Sequence, residues 1–299
     1  MKYAYYPGCS LESTGLEYDL SARAVAKHLG VELWEIPEWN CCGASAAHST
    51  NHLLALALPA RNLAIAEKEG LDVAVPCAAC FNRMKHTEAA VRESAATRET
   101  VADVIEMDYK GGNSAYALLD VLVNRVGVEA IREKVVKPLT GLKVACYYGC
   151  LLVRPPKVTQ FDDPEDPRTM DRLIEALGGT PVNWTHKTEC CSVGHATVKP
   201  GVAGPVLNAI FTQAQAAGAD CLAAACPLCF LNLDMRQAQV CGHFKGDYRL
   251  PVFYFTELMG VAMGYSPKEM GVTKHFVDPM PLLEQKDVLR HPTTRREEA

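Results

Sequence analysis

Long apolar runs are missing from this sequence. No window approaches the roughly 18 uninterrupted apolar residues of a membrane span, and the opening MKYAYYPGCS carries no apolar stretch of signal-peptide length. These absences predict a cytoplasmic protein without a membrane span. Positive charge is also in short supply: 30 Lys and Arg against 35 Asp and Glu give a formal net charge of -5. There is then no basic field of the kind that phosphate backbones recruit, and nucleic acid is not an expected partner. No Gly-rich dinucleotide fingerprint, no flavin signature and no Cys-x2-Cys-x2-Cys ferredoxin run occurs. Any electrons handled here must arrive from, or leave to, another protein of a complex. Disorder is excluded for most of the chain, because 48% hydrophobic residues over 299 positions are enough to bury a core, divided over two domains.

What is present in excess is cysteine. Thirteen thiols in a reducing compartment argue against a disulfide framework and for metal binding. Their order repeats: Cys9, Cys41-Cys42-Gly43 and Cys77-Ala-Ala-Cys80 are followed by Cys150, Cys190-Cys191-Ser192 and Cys226-Pro-Leu-Cys229. Four of the five pairs share an offset of 149 residues, while Cys9 and Cys150 are 141 apart. A chance fourfold match at one offset is on the order of one in a thousand, so the chain is read as an internal duplication with a longer spacer in its second copy.

That spacer is residues 151–168, LLVRPPKVTQFDDPEDPR, whose four prolines and clustered acids predict an irregular loop. The acids are read as capping and solvated groups, since hard-cation loops need regularly alternating oxygen ligands. Asp166 is the expected N-cap of a helix opened by Pro167 and closed at Gly178-Gly179, matching a first-copy helix from Ser13 to Leu29. Buried strands are predicted at 3–6 and 142–148, each running into a Gly-Cys. After each Cys-Cys pair come a helix and a short apolar strand, LDVAV or ADCLAAA, ending at Cys-x-x-Cys. A further strand and helix follow at 114–127 and 250–264. Strands alternating with helices predict an α/β fold of two tandem modules, 1–138 and 139–299, with mainly parallel sheets and flanking helices. Ligands of such sheets gather at strand carboxyl ends, where the cysteines fall. From Gly271 the chain is read as a polar tail whose last residues, TTRREEA, are disordered or contact a partner.

Thiolate sets of this kind point to zinc or to iron-sulfur chemistry. Five cysteines per module overfill zinc, and adjacent cysteines point apart on an extended backbone, which suits a cluster presenting several irons. Free thiols as packing residues, or a thiol-disulfide oxidoreductase, are the competing readings of a lone Cys-x-x-Cys. Cys146, Cys221 and Cys241 have no first-module counterpart and are read as packing residues.

The pattern resembles the two-module CCG-domain proteins: C-x31-CCG-x33-CxxC, then C-x39-CCS-x33-CxxC. YYGC with the FDDPEDP loop, GADCLAAACPLCFLNLDMRQAQV and LPVFYFTELMGVAMGYSPKEMG are similar to the B subunit of heterodisulfide reductase, and the resemblance spans almost the whole chain. It implies two pseudo-twofold related modules and two non-cubane [4Fe-4S] clusters. Cys9, Cys41, Cys42, Cys77 and Cys80 would hold one, and Cys150, Cys190, Cys191, Cys226 and Cys229 the other. It implies a disulfide between the clusters as substrate and no catalytic residue beyond the ligands. It also implies two partners, a ferredoxin-like iron-sulfur subunit plus a flavin-containing subunit. Ser192 departs from the pattern. If its backbone needs a positive φ or a close approach, serine changes the second site. His195 beside it is read as a satisfied structural histidine rather than a ligand or proton donor.

Two functions follow. The first is an oxidoreductase that acts on sulfur groups as part of a complex, of the sulfur-oxidation type working on a sulfur-carrier thiol or disulfide in preference to CoM-S-S-CoB. The second is an electron-transfer protein that relays electrons while another chain does the chemistry.

Overall fold

The computed structural model describes residues 1–44 and 46–289. Its first sheet contains β1 (Lys2–Tyr5), β2 (Glu32–Glu35), β3 (Val73–Val75) and β4 (Ala115–Ala117), in the order β2-β1-β3-β4. The second contains β5 (Lys143–Tyr147), β6 (Thr180–Pro181), β7 (Cys221–Ala224) and β8 (Val252–Tyr254), in the order β6-β5-β7-β8. The pairings of both sheets are parallel, as the alternation of strands and helices predicts. The inner strands β3 and β7 are short and apolar because helices cover both faces: Val73–Val75 and Cys221–Ala224 are buried throughout, as is the edge strand Val252–Tyr254. The edge strands β2 and β6 are not among the expected ones. One is the half-exposed ELWE, and the other is two residues long and ends in proline, which only an edge tolerates.

The first-copy helix starts later than its pattern suggests, at Leu16, and runs to His28. In the second copy Asp166 is not the cap. The helix Thr169–Ala176 is entered through Arg168, and Asp162 accepts the N–H groups of Arg168 at 3.0 Å and Thr169 at 2.8 Å. The Tyr148 hydroxyl takes the next N–H, from Met170, at 2.6 Å. Asp166 instead holds the Lys187 ammonium, which is buried and also lies 2.7 Å from Asp171. The spacer is not wholly irregular either, since Pro156–Thr159 form a helical turn. Beyond Gly271 the chain packs rather than trails: Val272, Leu283 and Val288 join the core, and a helix spans Met280–Gln285. The closing TTRREEA lies outside the described residues.

The two sheets share one hydrophobic core, and they do so by a reciprocal exchange. The helix after β8, Phe255–Ala262, packs on the first module's Leu16–His28. The helical run after β4, wound as a π-helix over Val121–Gly127, packs on the second module's Thr169–Ala176. Each module thus covers the other's first helix. In the first of these contacts Ser21 and Thr256 hydroxyls meet at 2.7 Å with both side chains buried.

Beside that contact lies a buried ion pair, His275 Nε2 to Glu257 Oε1 at 2.9 Å, with both side chains fully enclosed. Burial raises the Glu257 carboxyl above its ordinary value. Burial alone would lower the His275 imidazole, but Glu257, helped by Asp234 and Glu17, outweighs it and raises the pKa. Both shifts have the same sign for stability. A raised histidine contributes stability that is complete below its unfolded value near 6.5 and is lost as pH climbs through the higher folded value. A raised carboxyl likewise favours the folded state at low pH. Urea unfolding between about pH 6 and about pH 9 is expected to show the midpoint falling as pH rises, and His275→Gln is expected to flatten that slope. A variant whose slope matches the parent's would show that the pair does not titrate in this range.

Candidate metal centre

The strand order reverses between β1 and β3, and between β5 and β7. Chains leaving the carboxyl ends of these neighbours diverge and leave a crevice there. Cys9 lies four residues past β1 in the turn Gly8–Leu11, and Cys77 and Cys80 bracket the start of the helix Ala78–Glu93 just past β3. Cys150 follows β5, and Cys226 and Cys229 bracket the start of Pro227–Met235 past β7. The Cys-Cys pairs come in on the loops after β2 and β6.

Two glycines permit this convergence. Gly8 and Gly149 both have φ +67°, and a Cβ on them would stand 3.5 Å from Cys80 Sγ and 3.1 Å from Cys229 Sγ. A tyrosine two residues earlier braces each Cys-Cys loop: Tyr6 donates to the Asn40 carbonyl at 2.9 Å and Tyr147 to the Glu189 carbonyl at 2.6 Å. Asn62 also donates to Asn40 O, and Asn232 donates to Cys191 O at 2.6 Å. Sequence reading passed over these braces. The signal was there, because Tyr6 and Tyr147 recur at the same 141-residue offset as Cys9 and Cys150.

The duplicated cysteines approach one another as a central run of six flanked by two outer pairs. In the first module Cys9 lies by Cys41, the Sγ atoms of Cys42 and Cys80 are 3.1 Å apart, and Cys80 neighbours Cys77. In the second, Cys150 meets Cys190, and Cys191 meets Cys229, which is bonded to Cys226. The two series approach each other at Cys77 and Cys226, whose buried thiols shift each other's titration, Cys77 upward and Cys226 downward. The six thiols nearest this junction are buried, whereas Cys9, Cys41 and Cys190 are exposed and Cys150 is half-buried. Over the junction the buried Tyr18 hydroxyl lies 3.3 Å from both the Pro76 and the Ala225 carbonyl, each just before a junction cysteine.

These bonds split the thiol pKa values. Cys42 is lowered to about 7, chiefly by the hydrogen bond with Cys80. Cys190 is lowered to about 6 by the bond from Cys150, the Ser192 N–H and the charge of His195. Cys80 and Cys150 are raised, first by the same hydrogen bonds to their partner sulfurs. His195 is not a satisfied structural histidine: it is exposed and its charge acts on Cys190. Cys146 and Cys221 are buried within β5 and β7, and Cys241 is half-buried against the Tyr248 carbonyl.

The donor set is all thiol, which suits a soft or borderline metal. Among the described residues no three metal-ligating groups converge as a single bound ion would require. A file of thiol pairs fits a group whose irons are spread over several positions better than it fits one tetrahedral zinc.

The positive φ anticipated at Ser192 is present. Ser192 has φ 58° where Gly43 has φ 70°. A Cβ on Gly43 would fall 2.7 Å from Ala47 Cβ and 2.8 Å from a Leu58 methyl. Gly43→Ser is expected to cost about 2 kcal/mol or more, from left-handed strain plus overpacking. Ser192→Gly should change stability by less than about 1 kcal/mol, because the relieved strain is offset by glycine's entropy. Urea midpoints of the two variants test this, and equal losses would refute it.

A family model described as a cysteine-rich domain, CCG, matches residues 3–85 and 144–234. The chain is 33% identical over 280 residues to the 8-methylmenaquinol:fumarate reductase membrane anchor subunit of Wolinella succinogenes, covering 93% of this chain and 97% of that one. It is 30% identical over 283 residues to the B subunit of the Ferredoxin/F(420)H(2)-dependent CoB-CoM heterodisulfide reductase of Methanosarcina acetivorans, covering 92% and 94%. A heterodisulfide reductase B-subunit-like protein of Archaeoglobus profundus is 26% identical over 278 residues, covering 90% and 93%. The crystal structure of a hypothetical protein from Helicobacter pylori shares the fold, with a TM-score of 0.72 at 13% identity; it covers 93% of this chain, which spans about half (52%) of that longer one. Among the described residues no helix is long and apolar enough to cross a membrane.

Proposed function

Since the chain belongs to the cysteine-rich CCG domain family, we propose that it is a redox subunit of a larger complex, holding two non-cubane [4Fe-4S] clusters and acting on thiols and disulfides. Cys9, Cys41, Cys42, Cys77 and Cys80 would hold one cluster in module 1–138. Cys150, Cys190, Cys191, Cys226 and Cys229 would hold the other in module 139–299. A bound cluster supplies electrons one at a time, whereas a disulfide takes two.

What supports this reading is the approach of Cys77 and Cys226, which brings the inner thiols of the two duplicated sets into one run of six. The chain's own residues do the rest. Gly8 and Gly149 leave room beside the Cys-x-x-Cys sulfurs, Tyr18 pins the two junction carbonyls, and the exposed outer thiols leave both sets open to a substrate. The serine at Ser192 distinguishes the second set and favours a sulfur-carrier thiol or disulfide over CoM-S-S-CoB. Its partners in the cytoplasm would be a ferredoxin-like iron-sulfur subunit plus a flavin-containing subunit.

The similarity to a protein named for an 8-methylmenaquinol:fumarate reductase favours a second reading. In it the chain relays electrons in a quinol-linked complex and another chain performs the final chemistry.

Anaerobically purified protein is expected to contain about eight irons and eight sulfides per chain with little zinc. Cys42→Ala or Cys191→Ala should each abolish disulfide turnover while leaving about half of the iron. Stoichiometric zinc without sulfide would overturn the cofactor, and substantial turnover by either single variant would overturn the paired mechanism in favour of the relay.

A further inference from the structure

The second module contains a cavity beside its broken helix. It opens between the helix Pro200–Ala216 and the helix Gln237–Phe244 and has a volume of about 510 Å³. In the first module the helix Ala78–Glu93 runs on unbroken. Its counterpart stops at Met235 and restarts at Gln237, with Arg236 at the joint. That break turns the guanidinium into the cavity wall.

The lining is mostly apolar and rich in small residues, and its polar members are Arg236, Gln239 and His243. Arg236 is half-buried. It donates to Asn232 Oδ1 at 2.8 Å and to Gln239 Oε1 at 2.9 Å, but among the described residues it has no carboxylate partner. Asn232 in turn donates to the carbonyl of Cys191. The cavity therefore presents N–H donors and no acid, two hydrogen bonds away from a cysteine of the metal centre. Val198 and Val202, which flank the cavity's Pro200 and Gly201 in sequence, are exposed at 76% and 50%, so an apolar rim adjoins it.

A ligand matched to these walls has an apolar body of moderate size and oxygen acceptors but no cationic group. We propose that this cavity binds the ring of a quinone, with a ring oxygen accepting from Arg236. The inference deepens the relay reading above and rests on it, since a two-electron organic carrier beside the second thiol set is what a quinol-linked complex needs. Quinone class is preferred to an organic carboxylate because the guanidinium already donates to Asn232 and Gln239 and most of the wall is apolar, so a charged ligand would be desolvated for little return.

The test uses the full chain, purified anaerobically, and 2,3-dimethyl-1,4-naphthoquinone, whose quinoid ring has no open carbon for thiol addition. Calorimetric titration should show one site per chain. Arg236→Gln should weaken binding about tenfold, as loss of a charged hydrogen bond does. Gly201→Leu and Gly242→Leu should weaken it by narrowing the cavity, since both glycines line it and a Cβ at either meets nothing within 4 Å. Both replace glycine within a helix, so their thermal midpoints should hold or rise, which separates a blocked site from a broken fold. Undiminished binding in the leucine variants, no binding in the parent, or tighter binding of 2-naphthoate than of the quinone would each overturn the site. Iron and sulfide content of the same preparations tells a failure here from a failure of the cluster assignment.

Discussion

The contact between Cys77 and Cys226 is the constraint around which the molecule is arranged. Two buried thiols from different modules can meet only if the amino ends of two helices and the carboxyl ends of two central strands are aimed at one point. Parallel sheets with reversed strand order supply that aim, because the crevice at the reversal opens beside the residue that leaves each central strand. Tyr18 then ties the two approach segments together through Pro76 and Ala225, and its ring stacks on Tyr254 with centroids 4.2 Å apart. A tyrosine from the first module thus lies against a strand of the second at the point where the thiol sets join.

The exchange of helices follows from the same demand. A site shared by two modules is held only as firmly as the modules are held to each other, and a flat contact between finished domains would leave it free to open. Here the helix Leu16–His28 is covered by Phe255–Ala262 and the helix Thr169–Ala176 by the helical run after β4, which puts the inter-module contact inside the core. The loop after Cys150 is fastened from across the boundary as well: Asn82, two residues beyond Cys80, donates to the carbonyls of Leu151 at 3.0 Å and Arg154 at 2.8 Å. Ligand-bearing segments of one module are therefore positioned by side chains of the other.

Much of this was legible in the sequence because duplication writes itself as a repeated spacing. The cysteine offsets located the thiol sets, the inner strands and the alternation that makes the sheets parallel, and Ser192 was marked as the position where a positive φ would matter. What was not legible depended on tertiary contact. Asp166 has the local features of a cap, yet Lys187, twenty-one residues on, claims its carboxylate and Asp162 takes its place. The segment after Gly271 looked polar, but its few apolar residues and His275 are placed against the second sheet by partners that no local pattern names. The edge strands escaped because hydrogen bonding to a neighbour makes a strand there even where composition does not.

Duplication also explains why the two halves are not equivalent. Copies that share one centre need keep only the residues that build it, and the shared elements are the cysteines, the glycines at Gly8 and Gly149 and the tyrosines at Tyr6 and Tyr147. Elsewhere the copies diverge in a consistent direction. The second has the longer spacer, the buried Lys187 between Asp166 and Asp171, the left-handed serine, the exposed His195 and the broken helix that exposes Arg236. Four of these five lie within a few residues of the second thiol set, and the fifth, Arg236, is tied to it through Asn232. The common, symmetric features are thus those that aim the two thiol sets at each other, while the asymmetric ones cluster around the second set.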